Sequence, residues 1–319
     1  MDLLVQNLIS PVVLSFLLGM AARWCKSDLE IPNAIYQALS IYLLFAIGLK
    51  GGVALSQTPV TQLLAPLGAT FALGIITPVS AFFILRSLGK LSRIDAAATA
   101  AHYGSVSAVT FLAAIEAAKM ASVPTDGFLP ALVAVLEVPG IIIGLMFAQQ
   151  QRSGGLKEAL HEVVAGKSIF LLIGGMVIGA LCGAEKIQAV APLFIDPFKG
   201  VLCLFLLELG MVAARRISDI RSAGWRLVLV GCLLPLLHGL LGTFAGTLAG
   251  MTVGGAAVLG AMTGSASYIA APAAVRIALP KASPGIYLTM ALGITFPFNL
   301  AIGIPLLLAF AKFCGKFFG

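Results

Sequence analysis

The sequence predicts an all-α polytopic membrane protein, and three observations lead to that prediction. Only 33 of the 319 residues are charged, 20 Lys or Arg plus 13 Asp or Glu, whereas a soluble domain of this length would carry roughly 80. Apolar residues make up 60% of the chain, which is more than a soluble fold can bury. Charge-free stretches such as Leu227–Val275 exceed the length of about 20 residues that crosses a bilayer. A soluble enzyme, a secreted domain and a nucleic-acid-binding protein are thereby excluded.

Apolar runs bounded by charges and turn residues divide the chain into ten predicted transmembrane helices. They cover residues 5–23, 33–54, 62–86, 94–118, 128–150, 167–183, 190–213, 224–250, 253–277 and 285–312. The segments on one side of these spans hold 14 Lys or Arg residues, and those on the other side hold six. Positive residues accumulate on the cytoplasmic side, so we expect both termini outside.

The polar segment 151–166 is predicted to be a cytoplasmic linker between two five-helix halves, residues 1–150 and 167–319. The halves resemble each other, because the Gly-Ser-x-Ser element at 104–107 in the fourth span recurs at 264–267 in the ninth. Each half has an odd number of spans, so the second copy would enter the membrane from the opposite side. Such an inverted repeat is typical of secondary transporters. Chance similarity between two Ala- and Gly-rich segments is the alternative interpretation.

The two Gly-Ser-x-Ser elements are the strongest candidates for a substrate site. Glycine and hydroxyl residues within an apolar span lower helix propensity, and Pro272 after the second element favours a break. Two half-helices meeting inside the membrane would expose N–H groups that attract an anion and carbonyls that suit a cation. The predicted substrate-binding residues are Gly104, Ser105, Val106, Ser107, Gly264, Ser265, Ala266 and Ser267. The competing interpretation is that these small residues only allow close helix packing.

A coupling ion needs a charged or oxygen-rich partner inside the membrane, where each charge costs about 2.5–3.5 kcal/mol on the insertion scale. Glu137, two residues before Pro139 in the fifth span, is the preferred coupling-ion or proton residue. The neutral oxygen donors expected near it are Thr110, Thr263 and Asn299. An ion pair with Lys50 or a buried hydrogen bond would explain Glu137 equally well.

His102 beside the first element and Tyr268 beside the second are candidates for gating. An imidazole exchanges protons near neutral pH, although a single histidine beside a helix end is more often a hydrogen-bonded structural residue. Glycines spaced four apart in the sixth and eighth spans, with no polar group beside them, instead predict helix–helix seams without a transport role. These glycines are Gly175, Gly179, Gly183, Gly242, Gly246 and Gly250.

At these residues, and over nearly its whole length, the chain resembles the family of the cyanobacterial sodium-dependent bicarbonate transporter. The most specific segments are IGLKGGV at 47–53, HYGSVS at 102–107, EVP at 137–139, SYIAAPAAVR at 267–276 running to Pro280, and GITFPFN at 293–299. The resemblance implies ten helices in a 5+5 inverted repeat with core and gate domains, crossed and broken helices 4 and 9, and a homotrimer. It also implies that bicarbonate and Na⁺ bind where helices 4 and 9 break.

Two features depart from the family pattern. Cyanobacterial members carry an acidic residue at the position of Tyr268, so this substitution bears on cation coupling or on the anion accepted. The linker after the fifth span is also shorter here than in those members. That difference leaves open whether the chain binds the PII-like regulatory protein that the resemblance implies.

The sequence therefore predicts a secondary active transporter that imports a small anion, bicarbonate first, coupled to Na⁺ by alternating access. We expect no enzymatic activity, no transition-metal site and no cofactor besides the coupling Na⁺. Transport of another small organic anion, coupled to Na⁺ or H⁺, is the nearest alternative. An ion-binding membrane sensor and an intramembrane enzyme are more distant ones.

Overall fold

The computed structural model describes residues 8–148, 161, 165–217 and 224–318, and the regular structure in these ranges is helical throughout. In chain order the helices are α1 (Pro11–Trp24), α2 (Asn33–Gln57), α3 (Val60–Ser87), α4 (Arg93–Gly104), α5 (Ala108–Met120), α6 (Leu129–Met146), α7 (Lys167–Gln188), α8 (Ala191–Phe194), α9 (Phe198–Ile217), α10 (Trp225–Leu248), α11 (Val253–Thr263), α12 (Ala271–Ala278), α13 (Pro284–Leu288), α14 (Phe296–Phe298) and α15 (Ile304–Phe318). Two π-helical segments, Thr289–Thr295 and Asn299–Gly303, join the last three helices. Most of the predicted linker, residues 151–166, lies outside the described residues.

Eight helical segments among the described residues are long and apolar enough to cross a membrane. They are Asn33–Gln57, Val60–Ser87, Arg93–Met120, Leu129–Met146, Lys167–Gln188, Ala191–Arg216, Trp225–Leu248 and Pro284–Phe317. The other two predicted spans coincide with shorter apolar helices, α1 and part of the ninth span, α11. The chain is thus an all-helical, multi-pass membrane protein, as the sequence predicted, while the count of ten spans stays a prediction.

Both Gly-Ser-x-Ser elements interrupt a span. Between α4 and α5 the backbone is extended at Ser105 and at Ser107, and after α11 the chain leaves the helix until α12 begins. The helices that lead into the two breaks start alike, because Ser92 caps α4 and Thr252 caps α11 with a side-chain oxygen. Such a cap satisfies a backbone N–H that has no partner within the helix.

Glycine seams bring two pairs of helices close together. The glycines that pack in this way are Gly175 and Gly179 against α2, and Gly242 and Gly246 against α11. A Cβ at any of them would press on the neighbouring helix, so the packing prediction is confirmed for these four. Gly183 and Gly250 differ, because both adopt a positive φ, 72° and 75°, where the chain bends.

The breaks lie deep in the bundle because two glycines let neighbouring helices approach them. Gly104, the last residue of α4, packs between Pro78 of α3 and Gly140 of α6. Gly264, which follows α11, packs against the backbone of α10 at Pro235. A side chain at either glycine would force these helices apart.

Candidate functional site

The two helix breaks cross each other in the interior of the bundle. The Ser107 backbone N–H donates to the Ser265 hydroxyl oxygen at 2.8 Å. The Ser267 N–H donates to the His102 carbonyl oxygen, also at 2.8 Å. All of these residues are buried, so the contacts satisfy polar backbone groups that a membrane interior leaves without water.

Ser107 and Ser267 cap the half-helices that begin at the crossing. The Ser107 hydroxyl oxygen accepts from the Thr110 N–H at 3.1 Å, at the start of α5. The Ser267 hydroxyl oxygen accepts from the Ala271 N–H at 3.3 Å, at the start of α12. Both half-helices therefore present their N-terminal ends, which carry partial positive charge, at the crossing.

The other residues of the two elements shape the crossing itself. Ser265 accepts from Ser107 while its own hydroxyl donates to the Met262 carbonyl at 2.6 Å. The Ser105 hydroxyl is buried and has no hydrogen-bond partner among the described residues. Val106 and Ala266 are buried as well. Of the eight predicted substrate-binding residues, Ser107 and Ser267 bring polar side chains to one cavity.

That cavity, which we call the break cavity, draws on both halves of the chain. Its polar side chains are Ser107, Glu137, Ser168, Ser267 and Tyr268, and its apolar wall is Val106, Ala108 and Ile269. It offers about 10 Å³ to the centre of a water-sized sphere, which is about the room that one water molecule needs. The side chains around the break cavity therefore have to move apart before a small polyatomic ion can enter.

Glu137 brings an ionisable group into the break cavity from α6, and it is only 5% exposed. It forms no ion pair with Lys50, whose ammonium group lies 4.5 Å from the centroid of the Phe198 ring. Within the part of the chain that the structure describes, no hydrogen bond or salt bridge reaches the Glu137 carboxyl. Burying an unpaired carboxylate is costly, so this group has to hold either a proton or a cation.

Tyr268 supplies a neutral phenol where the family resemblance implies an acidic residue. Its hydroxyl is buried close to the Ser107 side chain. Its ring packs edge-on against Phe296 at a centroid distance of 5.7 Å. Because a phenol both donates and accepts hydrogen bonds, Tyr268 can donate to an anion or turn its oxygen towards a cation without adding charge.

The neutral oxygen donors predicted near Glu137 lie around the breaks but not on the break cavity. Asn299 donates its amide N–H to the Gly264 carbonyl at 2.8 Å. The Thr263 hydroxyl lies within hydrogen-bond distance of three carbonyl oxygens, the one of His238 at 2.9 Å among them. Thr110 is buried in the first turn of α5. Of the four predicted coupling residues, the structure brings Glu137 to the break cavity.

His102 lies beside the crossing, on the α4 side. Its Nδ1 lies 2.7 Å from the Ala98 carbonyl, which assigns the proton to Nδ1, and its ring stacks on Tyr287 at 4.4 Å. The Nε2 atom is buried without a partner among the described residues. The ring therefore does not line the break cavity, and His102 contacts the second break through its carbonyl group.

Sequence reasoning missed Ser168, which follows the linker at the start of α7 and is buried in the wall of the break cavity. It belongs to neither Gly-Ser-x-Ser element and sits beside the charged Lys167, so no local pattern marks it. Only the packing of α7 against the crossing assigns it to the site. Ala108 and Ile269, which close the cavity, carry no sequence signal of their own either.

Comparison with known proteins identifies a family that the sequence matches. A family model described as the Na⁺-dependent bicarbonate transporter superfamily matches residues 11–312, which is nearly the whole chain. No curated protein matches the sequence.

Proposed function

This chain belongs to the Na⁺-dependent bicarbonate transporter superfamily, and from that membership we propose that it is a secondary active transporter of a small anion, bicarbonate first, coupled to Na⁺. The observation that carries the proposal is the break cavity. Two capped half-helices begin there, and a buried carboxyl without a partner among the described residues faces the same space. An anion and a cation both find complementary groups at this point.

The anion is held by hydroxyl and backbone groups rather than by fixed positive charge. Ser107 and Ser267 offer hydroxyls, and the N-terminal ends of α5 and α12 offer partial positive charge. Ala108, the first residue of α5, brings its backbone to the cavity wall. A monovalent anion of bicarbonate size can be desolvated by such dipoles without being trapped.

The cation is held by Glu137, with the Tyr268 hydroxyl as a neutral ligand. Na⁺ prefers oxygen ligands, and its charge compensates the buried carboxylate. When the anion and Na⁺ bind in the same small cavity, their opposite charges attract, so each ion stabilises the binding of the other. This mutual stabilisation is the physical basis of the proposed coupling.

Alternating access follows from the proposed inverted repeat of ten spans. Several contacts recur about 160 residues apart, and they support that layout: Ser92 and Thr252 cap the broken spans, and Pro78 and Pro235 pack on Gly104 and Gly264. In this arrangement one group of helices moves against the other and exposes the break cavity to each side in turn. The excess of positive residues on one side supports an orientation with both termini outside, and the family resemblance supports a bacterial plasma (inner) membrane. A homotrimer follows from the family resemblance.

The proposal is tested by uptake of radiolabelled bicarbonate into proteoliposomes. The assay compares an inward Na⁺ gradient with a K⁺ gradient, at alkaline pH where little CO₂ is present to cross the lipid unaided, and liposomes without protein serve as the control. We expect uptake that requires Na⁺. Uptake that ignores Na⁺ would refute the coupling, and uptake no faster than in empty liposomes would refute bicarbonate as the substrate.

A second candidate is coupling to H⁺ instead of Na⁺, and the unpaired Glu137 carboxyl favours it. A proton neutralises a buried carboxyl as well as a metal cation does. Imposing a pH gradient without Na⁺ in the same proteoliposomes separates the two. Uptake driven by the pH gradient alone assigns the coupling to H⁺.

A further inference from the structure

A second cavity, which we call the outer cavity, lies along the same half-helix as the break cavity. It has a volume of about 80 Å³ and lies between α5, the middle of α2 and the start of α9. Its charged side chains are Lys50, Glu116 and Lys119, and Phe198 forms part of its wall. Glu116 comes eight residues after Ala108, which is about 12 Å along the helix. On the proposed orientation this is the outward-facing end of α5.

The charged side chains around the outer cavity do not all form salt bridges. Glu116 is buried and accepts from Lys119 at 3.0 Å and from Lys199 at 3.3 Å. Lys50 instead lies over the Phe198 ring at 4.5 Å, and among the described residues no salt bridge joins it to a carboxylate. Glu116, Lys119 and Asp196 act on it only at longer range. Lys50, Lys119 and Lys199 against Glu116 and Asp196 leave a net positive charge around the outer cavity, and Lys50 is the lysine of these three without a salt bridge among the described residues.

A third cavity, of about 10 Å³, shares lining residues with both the outer cavity and the break cavity. This middle cavity shares Ile47 and Leu112 with the outer cavity. It shares Ala108 and Ile269 with the break cavity. The three cavities therefore form a row along α5, separated by two pairs of apolar side chains. An ion that passes along this row has to displace those side chains.

We propose that the outer cavity is a capture site for a small anion, in which the Lys50 ammonium group holds the anion before it passes Ile47 and Leu112 towards the break cavity. This inference rests on the proposed function for the identity of the anion. The Glu116–Lys199 salt bridge joins α5 to α9 beside the outer cavity. An anion is favoured over a cation because the net charge of the side chains around the outer cavity is positive. Such a charge raises the local concentration of anions near the cavity.

The first experiment measures the charge of the outer cavity without transport. All five native cysteines are free, so they can be replaced by Ala without breaking a disulfide. Ile115→Cys then places a partly buried thiol in the cavity wall. We expect an anionic methanethiosulfonate to react about tenfold faster than a cationic one, which corresponds to about 1.4 kcal/mol. Adding Lys50→Gln removes this preference and Lys50→Arg keeps it.

The second experiment measures bicarbonate uptake by the same Lys50 variants. We expect Lys50→Gln to raise KM about tenfold with kcat unchanged. Lys186→Gln, an exposed lysine on the same proposed side of the membrane but outside the cavity, is the matched control and changes neither. A Lys50→Gln protein with the reagent preference of the parent, or with an unchanged KM, overturns the inference. If the parent takes up no bicarbonate, the proposed function fails. The reagent preference then still decides whether the outer cavity attracts anions.

Discussion

The break cavity and the outer cavity lie on the same half-helix, α5, yet they differ in almost every physical property. The break cavity is deep, and its polar groups are hydroxyls with one carboxyl that has no partner among the described residues. The outer cavity carries lysines, and its glutamate is bonded to two of them. Both draw on both halves of the chain, but Phe198 is the one residue of the second half that lines the outer cavity, whereas Ser168, Ser267, Tyr268 and Ile269 line the break cavity.

The difference follows from the cost of charge at different depths. Lys119 and Lys199 keep 60% and 47% of their side chains exposed, so water solvates their charges. At the crossing no such solvation is present, and fixed lysines would also bind an anion too tightly to release it. Helix N-termini and hydroxyls attract the ion there without a buried net charge. In this proposal, lysines attract the anion at the outer cavity, and hydroxyls and helix N-termini bind it at the crossing.

The largest effect is expected from Glu137→Gln, which keeps the shape of the side chain but removes its charge. If Glu137 holds the coupling ion, uptake driven by Na⁺ falls about 100-fold, equivalent to about 2.7 kcal/mol, and no longer responds to the Na⁺ gradient. Uptake is measured in proteoliposomes, with Glu208→Gln as control because Glu208 lies outside the break cavity. Sodium-dependent uptake that survives Glu137→Gln would assign the cation to other ligands.

Gly140→Ala tests whether the crossing depends on close backbone approach. A Cβ at Gly140 would overlap the Gly104 carbonyl, so overpacking is expected to lower stability by about 1–3 kcal/mol and to lower the Tm in detergent. Gly174→Ala is the matched control, since a Cβ there meets nothing within 4 Å. Equal melting temperatures for the two variants would show that α6 can move away from the first break without cost.

Ser107→Ala and Ser267→Ala separate a binding role from a packing role. Each removes a cavity hydroxyl that accepts from a backbone N–H at the start of a half-helix, and we expect each to raise the KM for bicarbonate about tenfold while the protein still folds. Ser56→Ala, which deletes an exposed hydroxyl at the end of α2, leaves uptake unchanged. Full activity in both break variants would favour the packing interpretation of the Gly-Ser-x-Ser elements.

The smallest effect concerns Asp126, which joins the loop after α5 to the start of α11 through Thr252. Burial raises the pKa of Asp126 above its ordinary value of 3.8, although the hydrogen bonds from Thr252 oppose the shift. Folding therefore favours the protonated form, and its contribution to stability is present below pH 3.8. That contribution is lost as the pH rises through the raised pKa. Asp126→Asn should flatten this part of the Tm–pH profile only slightly, because water screens the partly exposed carboxyl, and an unchanged profile would contradict the assignment.

Several elements of the site could be read from the sequence because they depend on local chemistry. Gly104, Ser107, Gly264 and Ser267 interrupt apolar spans with glycine and hydroxyl groups, which predicts a break wherever the spans are placed. Glu137 is conspicuous because a carboxyl is rare at that depth. The seam glycines Gly175 and Gly242 follow from spacing alone.

Other elements could not be read because they depend on distant contacts. Asn299 and Thr263 appeared to be cation ligands, but in the structure their side chains bond carbonyl oxygens of the unwound backbone and of α10. Ser168 carries no local signal, and only the packing of α7 brings it to the cavity wall. Glu116 reads as an ordinary helix-end charge until Lys199, far along the chain, is placed beside it.

The sequence by itself determined that this protein is a multi-pass helical membrane protein with two breaks, because hydropathy and helix propensity are properties of short segments. The tertiary structure decided which polar groups share a cavity, which lysine has no salt bridge, and which hydroxyls form hydrogen bonds only with backbone groups. Those outcomes depend on contacts between residues far apart in the chain. Inside a membrane, each polar group must find its partner within the protein, so the partner that packing brings closest decides its role.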